Sequence, residues 1–266
     1  MSIQIQGRVA WVTGASSGIG EALTRKLVAE GWNVAALARS EAPLHTLAGA
    51  APDRILPLVA DVRDYAACER AYAQILERFG RLDAVIANAG ISHRATVEEV
   101  DLSVLREVME VNFWGAVHVI KTALPEIKRQ RGWIVGISSI AGFRGLPARS
   151  GYSASKFALN GFLEALRTEL YGTGVKVLIA APGFTRSAIR MRALDAHGRP
   201  HGETPLPEEK LMTAEEVAQH IYHAMLTGKK YLLLTTQGKL TVWLHRLAPI
   251  FMDRIVYAYF SRERLH

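Results

Sequence analysis

The chain has 266 residues, 49% apolar and 21% charged, which is the balance of a globular protein with a sizeable core; length alone allows one large α/β domain or two small ones. A single cysteine, Cys68, excludes an internal disulfide and a cysteine-built metal cluster, and nine scattered histidines without metal spacing predict no metal site. The formal charge of +7 is uneven, since Lys229 to His266 hold seven Lys/Arg against two acids; the remainder is nearly balanced, so nucleic acid is a poor partner.

The N-terminus, Met-Ser-Ile-Gln-Ile-Gln-Gly-Arg, has no apolar signal core, and no uncharged run of eighteen apolar residues occurs. The expectation is a soluble, cytoplasmic protein. In chain order, β-branched apolar runs predict strands at Val9–Thr13, Asn33–Ala38, Ile55–Ala60, Ala84–Asn88, Trp133–Ser138, Lys176–Ala181 and Tyr231–Leu234. Helical spacing predicts helices near 18–30, 64–79, 98–129, 151–172 and 213–227. Strands that are apolar on consecutive residues and alternate with helices indicate a parallel sheet covered on both faces. The fold class is therefore α/β, a single doubly wound parallel sheet of about seven strands, spanning 1–237. The stretch 183–212, with Pro182 just before it and Pro200, Pro205 and Pro207 within it, has no clear element and reads as a lid. Residues 238–266 read as a C-terminal extension, an amphipathic helix pair broken before Pro249, with a wide apolar face and a narrow basic one. It would pack on its own domain or a partner subunit, or lie on a membrane surface.

The first predicted strand runs into Thr13-Gly14-Ala15-Ser16-Ser17-Gly18-Ile19-Gly20 and then a helix. Glycines there let the backbone turn sharply and approach a pyrophosphate at a helix N-terminus. The spacing is G-x-x-x-G-x-G rather than the commoner G-x-G-x-x-G. After the second strand, a carboxylate would bind the ribose 2′-hydroxyl of NAD; here stand Ala38, Arg39 and Ser40, which suit the 2′-phosphate of NADP. Tyr152 and Lys156, at i and i+4, share a helix face, where an ammonium would pull the phenol down from its ordinary ~10 and fit it for general acid–base work. His93 either lines a substrate pocket or is a solvated loop histidine. Lys128-Arg129-Gln130-Arg131 reads as a solvated helix end, and Cys68 as a small apolar residue on a helix.

Thr13-Gly-x-x-x-Gly-x-Gly20, Asn88-Ala89-Gly90, Asn112, Ser139 and Tyr152-x-x-x-Lys156 together resemble the short-chain dehydrogenase/reductase superfamily, over roughly residues 7–235. The glycine loop and Ala38-Arg39-Ser40 resemble its NADP-using members. Pro182-Gly183-Phe184-Thr185-Arg186-Ser187 and the tail resemble the branch of 11β-hydroxysteroid dehydrogenase and carbonyl reductases, which implies a hydrophobic substrate. The resemblance implies that Tyr152 donates or accepts the proton, that Lys156 lowers its pKa and bonds the nicotinamide ribose, and that Ser139 holds the substrate oxygen. Asn112 would hold a water linking Lys156 to solvent. Gly14, Ser16, Ser17, Gly18, Ile19, Gly20, Arg39, Ser40, Asp61, Val62, Asn88, Ala89, Gly90, Pro182, Gly183, Phe184, Thr185 and Ser187 would join Tyr152 and Lys156 in binding NADP(H). Ser187 replaces a family threonine. Ser17 stands where many NADP-using members carry Arg or Lys, so the 2′-phosphate would rest on Arg39 and Ser40. The implied function is hydride transfer between nicotinamide and a carbonyl or secondary alcohol, in a dimer or tetramer. A β-ketoacyl thioester reductase, an epimerase or dehydratase on the same fold, and a non-catalytic dinucleotide sensor are the alternatives.

Overall fold

The computed structural model describes residues 6–183, 185, 186, 189–200, 202 and 211–263. Seven strands form one sheet in the order β3-β2-β1-β4-β5-β6-β7, every pair parallel. They are β1 (Val9–Thr13), β2 (Asn33–Ala38), β3 (Ile55–Val59), β4 (Ala84–Ala87), β5 (Trp133–Ile137), β6 (Lys176–Ala181) and β7 (Tyr231–Leu233). The order turns back on itself between β1 and β4, and ligands of open α/β sheets bind in the crevice at such a point.

Consecutive apolar residues in each strand serve opposite faces. Ala10 and Val12 of β1 join a core with α1 (Gly18–Ala29), α2 (Glu41–Gly49) and α7 (Ala214–Leu226), built on Leu23, Leu44, Val217 and Ile221. Val9 and Trp11 join the opposite core with α3 (Tyr65–Phe79), α5 (Gly115–Gln130) and α6 (Ser150–Glu169), built on Ile75, Ile120 and Leu163. Cys68 is part of this second core, and burial pushes its thiol up to about 12, so it serves as packing.

Local chemistry fixes the element ends. Asp64 caps α3 by accepting from Ala67 N at 3.0 Å, and Gly80 closes it in the left-handed region at φ 71°. Thr213 and Glu216 form a reciprocal capping box on α7.

Two stretches depart from the expectation. The helix expected over 98–129 is α4 (Leu102–Met109), a π-helical turn at Glu110–Trp114, and α5. Helix α2 falls in a stretch where no element was predicted. Its nine residues include Pro43 and have a mostly exposed face, so their apolar periodicity is weak. The described part of 183–212 has only isolated bridges, Thr185 with Met212, His93 with Leu194, and Leu194 with Pro200. Ala95, Val100 and Val104 pack beneath it with Leu194 and Ala196.

Past β7 come α8 (Thr236–Leu247) and α9 (Pro249–Glu263), the helix pair expected around Pro249. They fold back on the segment after β5: a Cβ at Gly238 would lie 2.8 Å from Ile140 Cδ1, Arg144 pairs with Asp253 at 2.5 Å, and the Arg149 guanidinium lies 5.4 Å from the Phe260 ring centre. Val242, Met252 and Val256 are buried, while Leu240, Trp243, Leu247, Ile250, Phe251 and Tyr257 face outward. Among the described residues no helix is long and apolar enough to cross a membrane.

Helix α6 lies tight on the sheet where β5 has Gly136, because a Cβ there would sit 2.3 Å from Leu163 Cδ1. Leu163 is fully buried. Leu163→Ala should cost ~2–5 kcal/mol of stability, the usual range for a leucine cavity. Urea denaturation followed by circular dichroism checks this; a loss well below 1 kcal/mol (about a fivefold change in the equilibrium constant) would contradict the packing described.

Candidate active site

Six βα junctions meet at the carboxyl edge of the sheet around a cavity of about 500 Å³. After β1 the chain turns through Gly14 at φ 66° and Gly18 at φ 56°, in the left-handed region that favours glycine. A Cβ at Gly14 would lie 2.9 Å from Ala89 Cα, and one at Gly20 would lie 2.2 Å from the Gly14 carbonyl oxygen. The glycine loop is thus pressed against the loop after β4. Thr13 and Asn88 join the two: Thr13 Oγ1 accepts from Asn88 N and Ala89 N, each at 3.0 Å, and Asn88 Nδ2 donates to Thr13 O at 2.9 Å.

Gly14, Ser16, Ser17, Gly18 and Ile19 line one end of the cavity with Arg39, Ser40, Asp61 and Val62; Asn88, Ala89 and Gly90 line its floor. Gly20 lies beneath the turn and does not line it. Ser17 and Ser40 are the N-cap residues of α1 and α2, and neither side chain caps its own helix. Their hydroxyls, with the first-turn N–H groups, are therefore available to an anion. Asp61 is clamped by Arg63, whose Nη2 and Nε lie 2.7 and 3.0 Å from Oδ2. Burial raises the Asp61 carboxyl, but the Arg63 bonds and the charges of Arg63 and Arg39 outweigh it and hold it below its ordinary value. Arg39 lies 3.8 Å from Asp61 and its side chain is 56% exposed, a loose pair that leaves the guanidinium able to meet a phosphate. The glycine cradle, two uncapped helix starts and a loose cation fit a dinucleotide.

The other end gathers Ser139 from the turn after β5 and Tyr152 and Lys156 from α6. Ser139, two residues past β5, accepts from Ala141 N at 3.1 Å, and its hydroxyl acts on the Tyr152 phenol. Lys156, 3% exposed, donates from Nζ to the Ile137 carbonyl at 2.8 Å and lies 5.8 Å from the Tyr152 ring centre. Burial lowers Lys156 to about 8. The Tyr152 hydroxyl stands above its ordinary value, the opposite direction to that expected. Burial is the larger influence, opposed by the nearby Ser139 hydroxyl and by the positive charge of Arg149 rather than of Lys156.

Asn112 sits in the π-helical turn behind the cavity, 1% exposed. Its Oδ1 accepts from Ile91 N at 2.8 Å, and Nδ2 donates to Ile91 O and Ser155 Oγ, each at 2.9 Å. Both amide hydrogens are thereby engaged. Asn112 Oδ1 and Lys156 Nζ approach the same face of Gly90, 3.2 and 3.5 Å from where a Cβ would be. Pro182, Gly183 and Thr185 line the cavity wall; Phe184 and Ser187 lie outside the described residues.

His93 neither lines the cavity nor faces solvent. It is fully buried and accepts from Gly151 N at 2.9 Å. Arg149, Arg190 and Arg192 line the cavity alongside Leu146, Ile189 and Leu194, and none of them was singled out from the sequence. Arg149 precedes Tyr152 by three residues in a loop with no periodicity, so nothing in the chain marked it. The run at 128–131 is partly engaged, since Arg129 and Gln130 both bond the buried Glu126.

A parallel sheet with this edge, a glycine turn and a Ser-Tyr-Lys group lining one cavity belongs with dinucleotide-dependent oxidoreductases. The family model described as short chain dehydrogenase matches residues 8–197, and the chain belongs to the short-chain dehydrogenase/reductase family. It is 35% identical over 269 residues to dehydrogenase/reductase SDR family member 7B of Mus musculus, covering 98% of this chain and 83% of that protein. It is 33% identical over 272 residues to 11-beta-hydroxysteroid dehydrogenase A of Sesamum indicum, covering 96% and 77%. A solved short-chain dehydrogenase/reductase from Burkholderia phymatum, in complex with NAD, superposes with a TM-score of 0.81 at 25% identity, covering 92% of this chain and 95% of that one.

Proposed function

We propose that this oxidoreductase uses NADP(H) and interconverts a carbonyl and a secondary alcohol on a largely hydrophobic substrate, with Tyr152 moving the proton. The observation that carries the reading is that Ser139 and Tyr152 line the same cavity, with the Lys156 ammonium buried beside the Tyr152 ring.

Bound nicotinamide supplies the hydride in reduction and accepts it in oxidation. In reduction the Tyr152 hydroxyl gives its proton to the substrate oxygen, while Ser139 holds that oxygen where negative charge develops. A hydroxyl kept above its ordinary value stays protonated at neutral pH, which is the form that donates in reduction. The phenolate left behind regains its proton from water before the next turnover. Arg149 stabilises the phenolate meanwhile.

The NADP reading rests on Arg39 and Ser40 after β2, where no acid stands to repel a 2′-phosphate. Asp61, the nearest carboxylate partner of Arg39, is already neutralised by Arg63. Leu146, Ile189 and Leu194 on the substrate side favour an apolar molecule. We further propose that a second copy of the chain covers the outward apolar face of α8 and α9, where Trp243, Leu247, Ile250 and Phe251 stand exposed.

Tyr152→Phe should lower kcat by roughly 10²–10⁴-fold, the usual share of a general acid, with NADPH affinity unchanged by fluorescence titration. A panel from short ketones and β-ketoacyl thioesters to steroids supplies the assay; a Phe variant keeping more than about a tenth of the activity would contradict the role. The wild type should prefer NADPH over NADH by about tenfold or more in kcat/KM, and Ala38→Asp with Arg39→Ala should abolish or invert that preference, because a charge-assisted contact contributes ~1.5–3 kcal/mol. Equal kcat/KM values for the two nucleotides in the wild type would remove the cofactor assignment. Trp243→Glu with Ile250→Glu should lower the solution mass by light scattering toward 29.2 kDa. An unchanged mass, with loss of sedimentation on acidic phospholipid vesicles, would identify a membrane surface as the cover instead.

A further inference from the structure

Helix α6 carries both Tyr152 and Lys156, yet its N-cap residue, Arg149, makes no side-chain cap bond. A helix normally satisfies one of its first free N–H groups with an oxygen from the cap residue, usually at the second or third helical position. Here the second helical position is Gly151, and its N–H donates to His93 Nε2 at 2.9 Å from a loop 58 residues away in the chain. Tyr152 is the next residue.

We propose that His93 is the missing cap of the catalytic helix and a positioning residue for Tyr152, its neutral imidazole holding the first turn of α6 where the phenol meets Ser139. Three observations carry this. The approach requires glycine: a Cβ at residue 151 would sit 3.2 Å from Nε2 and 2.7 Å from Leu105 Cδ2. The segment is also fastened by backbone bonds on both sides, Ala95 N to Ala148 O at 3.0 Å and Leu194 N to Ser92 O at 2.8 Å, so the ring is fixed against α6. Finally, Nε2 accepts, so the ring proton is on Nδ1, which is buried with no hydrogen-bond partner. A side chain present only for packing would do better without that orphan N–H; the arrangement makes sense if the acceptor on the other side is what the site needs.

The same contact makes the cap sensitive to pH. A protonated ring has two donors, so Nε2–H would face the Gly151 N–H at the positive end of a helix. The charged group acting on the ring is Arg149, at the start of α6, while Leu194, paired to its backbone, brings an aliphatic side chain. Burial first, and Arg149 second, hold His93 below its ordinary 6.5. Above 6.5 the ring is neutral folded or unfolded and the cap is intact. As pH falls below that, the unfolded chain takes up the proton first and folding loses stability; the cap itself opens when pH passes the lowered folded value.

The role rests on the reading of Tyr152 given above, and the test separates the two. His93→Gln keeps an acceptor but cannot titrate, and His93→Leu removes it. Hydrogen exchange of the 145–156 peptides reads the cap without any activity; kcat for the best ketone of the panel, from pH 5 to 8, reads its consequence. Expected are faster exchange and a kcat about tenfold to a hundredfold lower in His93→Leu, with NADPH affinity retained. His93→Gln should restore both at pH 7.5 and lose the part of the acid decline that belongs to the ring. If His93→Leu does not fold, a wild-type acid decline unchanged in His93→Gln overturns the proposal. Wild-type exchange and kcat in His93→Leu overturn it as well. Faster exchange with unchanged kcat, while Tyr152→Phe is inactive, overturns the positioning role. Faster exchange with Tyr152→Phe still active leaves the cap standing and refutes the catalytic reading instead.

Discussion

The contact between Thr13 and Asn88 is the constraint on which this site depends. A parallel sheet that reverses its strand order leaves a crevice between β1 and β4, and the two loops bordering it have no ladder bonds to hold them. One threonine oxygen collects two backbone N–H groups of the second loop, and the Asn88 amide returns a bond to the first. The closeness this demands is possible only because Gly14 and Gly20 lack side chains. The glycines therefore serve the protein's own backbone as much as any ligand, and the cavity has a floor whose shape is set before anything enters it.

At the other end of the cavity, burial and charge act against one another on the same three side chains. Lys156 gives up basicity because it is enclosed, its ammonium satisfied by the Ile137 carbonyl rather than by the phenol. Tyr152 gains resistance to ionisation for the same reason, and Ser139 and Arg149 recover part of it. Taking both groups out of water lowers the amine and raises the phenol, so the phenol comes to stand above the amine, the reverse of what a simple cation-beside-phenol picture implies. It does keep the tyrosine in its proton-bearing form at neutral pH.

Much of this was legible in the chain. Strands buried on both faces announce themselves by unbroken apolar runs, and β1, β2 and β6 fall on Val9–Thr13, Asn33–Ala38 and Lys176–Ala181, as their composition indicates. The glycine turn, Ser139, Tyr152 and Lys156 were marked by residue type and spacing, and the cavity gathers them. Helix α2 was hidden because it is short, includes Pro43 and buries only three side chains. The π-helical turn at Asn112 has no periodic signature, since one added residue shifts a helix face without changing its composition. His93 was visible as a residue but not as a cap, because its partner is a backbone group 58 positions away. The direction of the Tyr152 shift depends on depth, which spacing alone does not encode.

The separation between Thr13 and Asn88 also bears on how the chain is made. Those residues are 75 positions apart, and β1 pairs with β2 on one side but waits for β4 on the other. During synthesis the first three strands can assemble while the second edge of β1, Val9 to Thr13, stays open with its backbone groups unpaired. An open apolar strand edge is a template for intermolecular pairing. Closing it requires long-range contacts, which form slowly. A nascent or truncated chain ending before Ala84 is thus the species most prone to aggregate, and the strand that begins the binding cleft in the finished molecule is its most vulnerable edge.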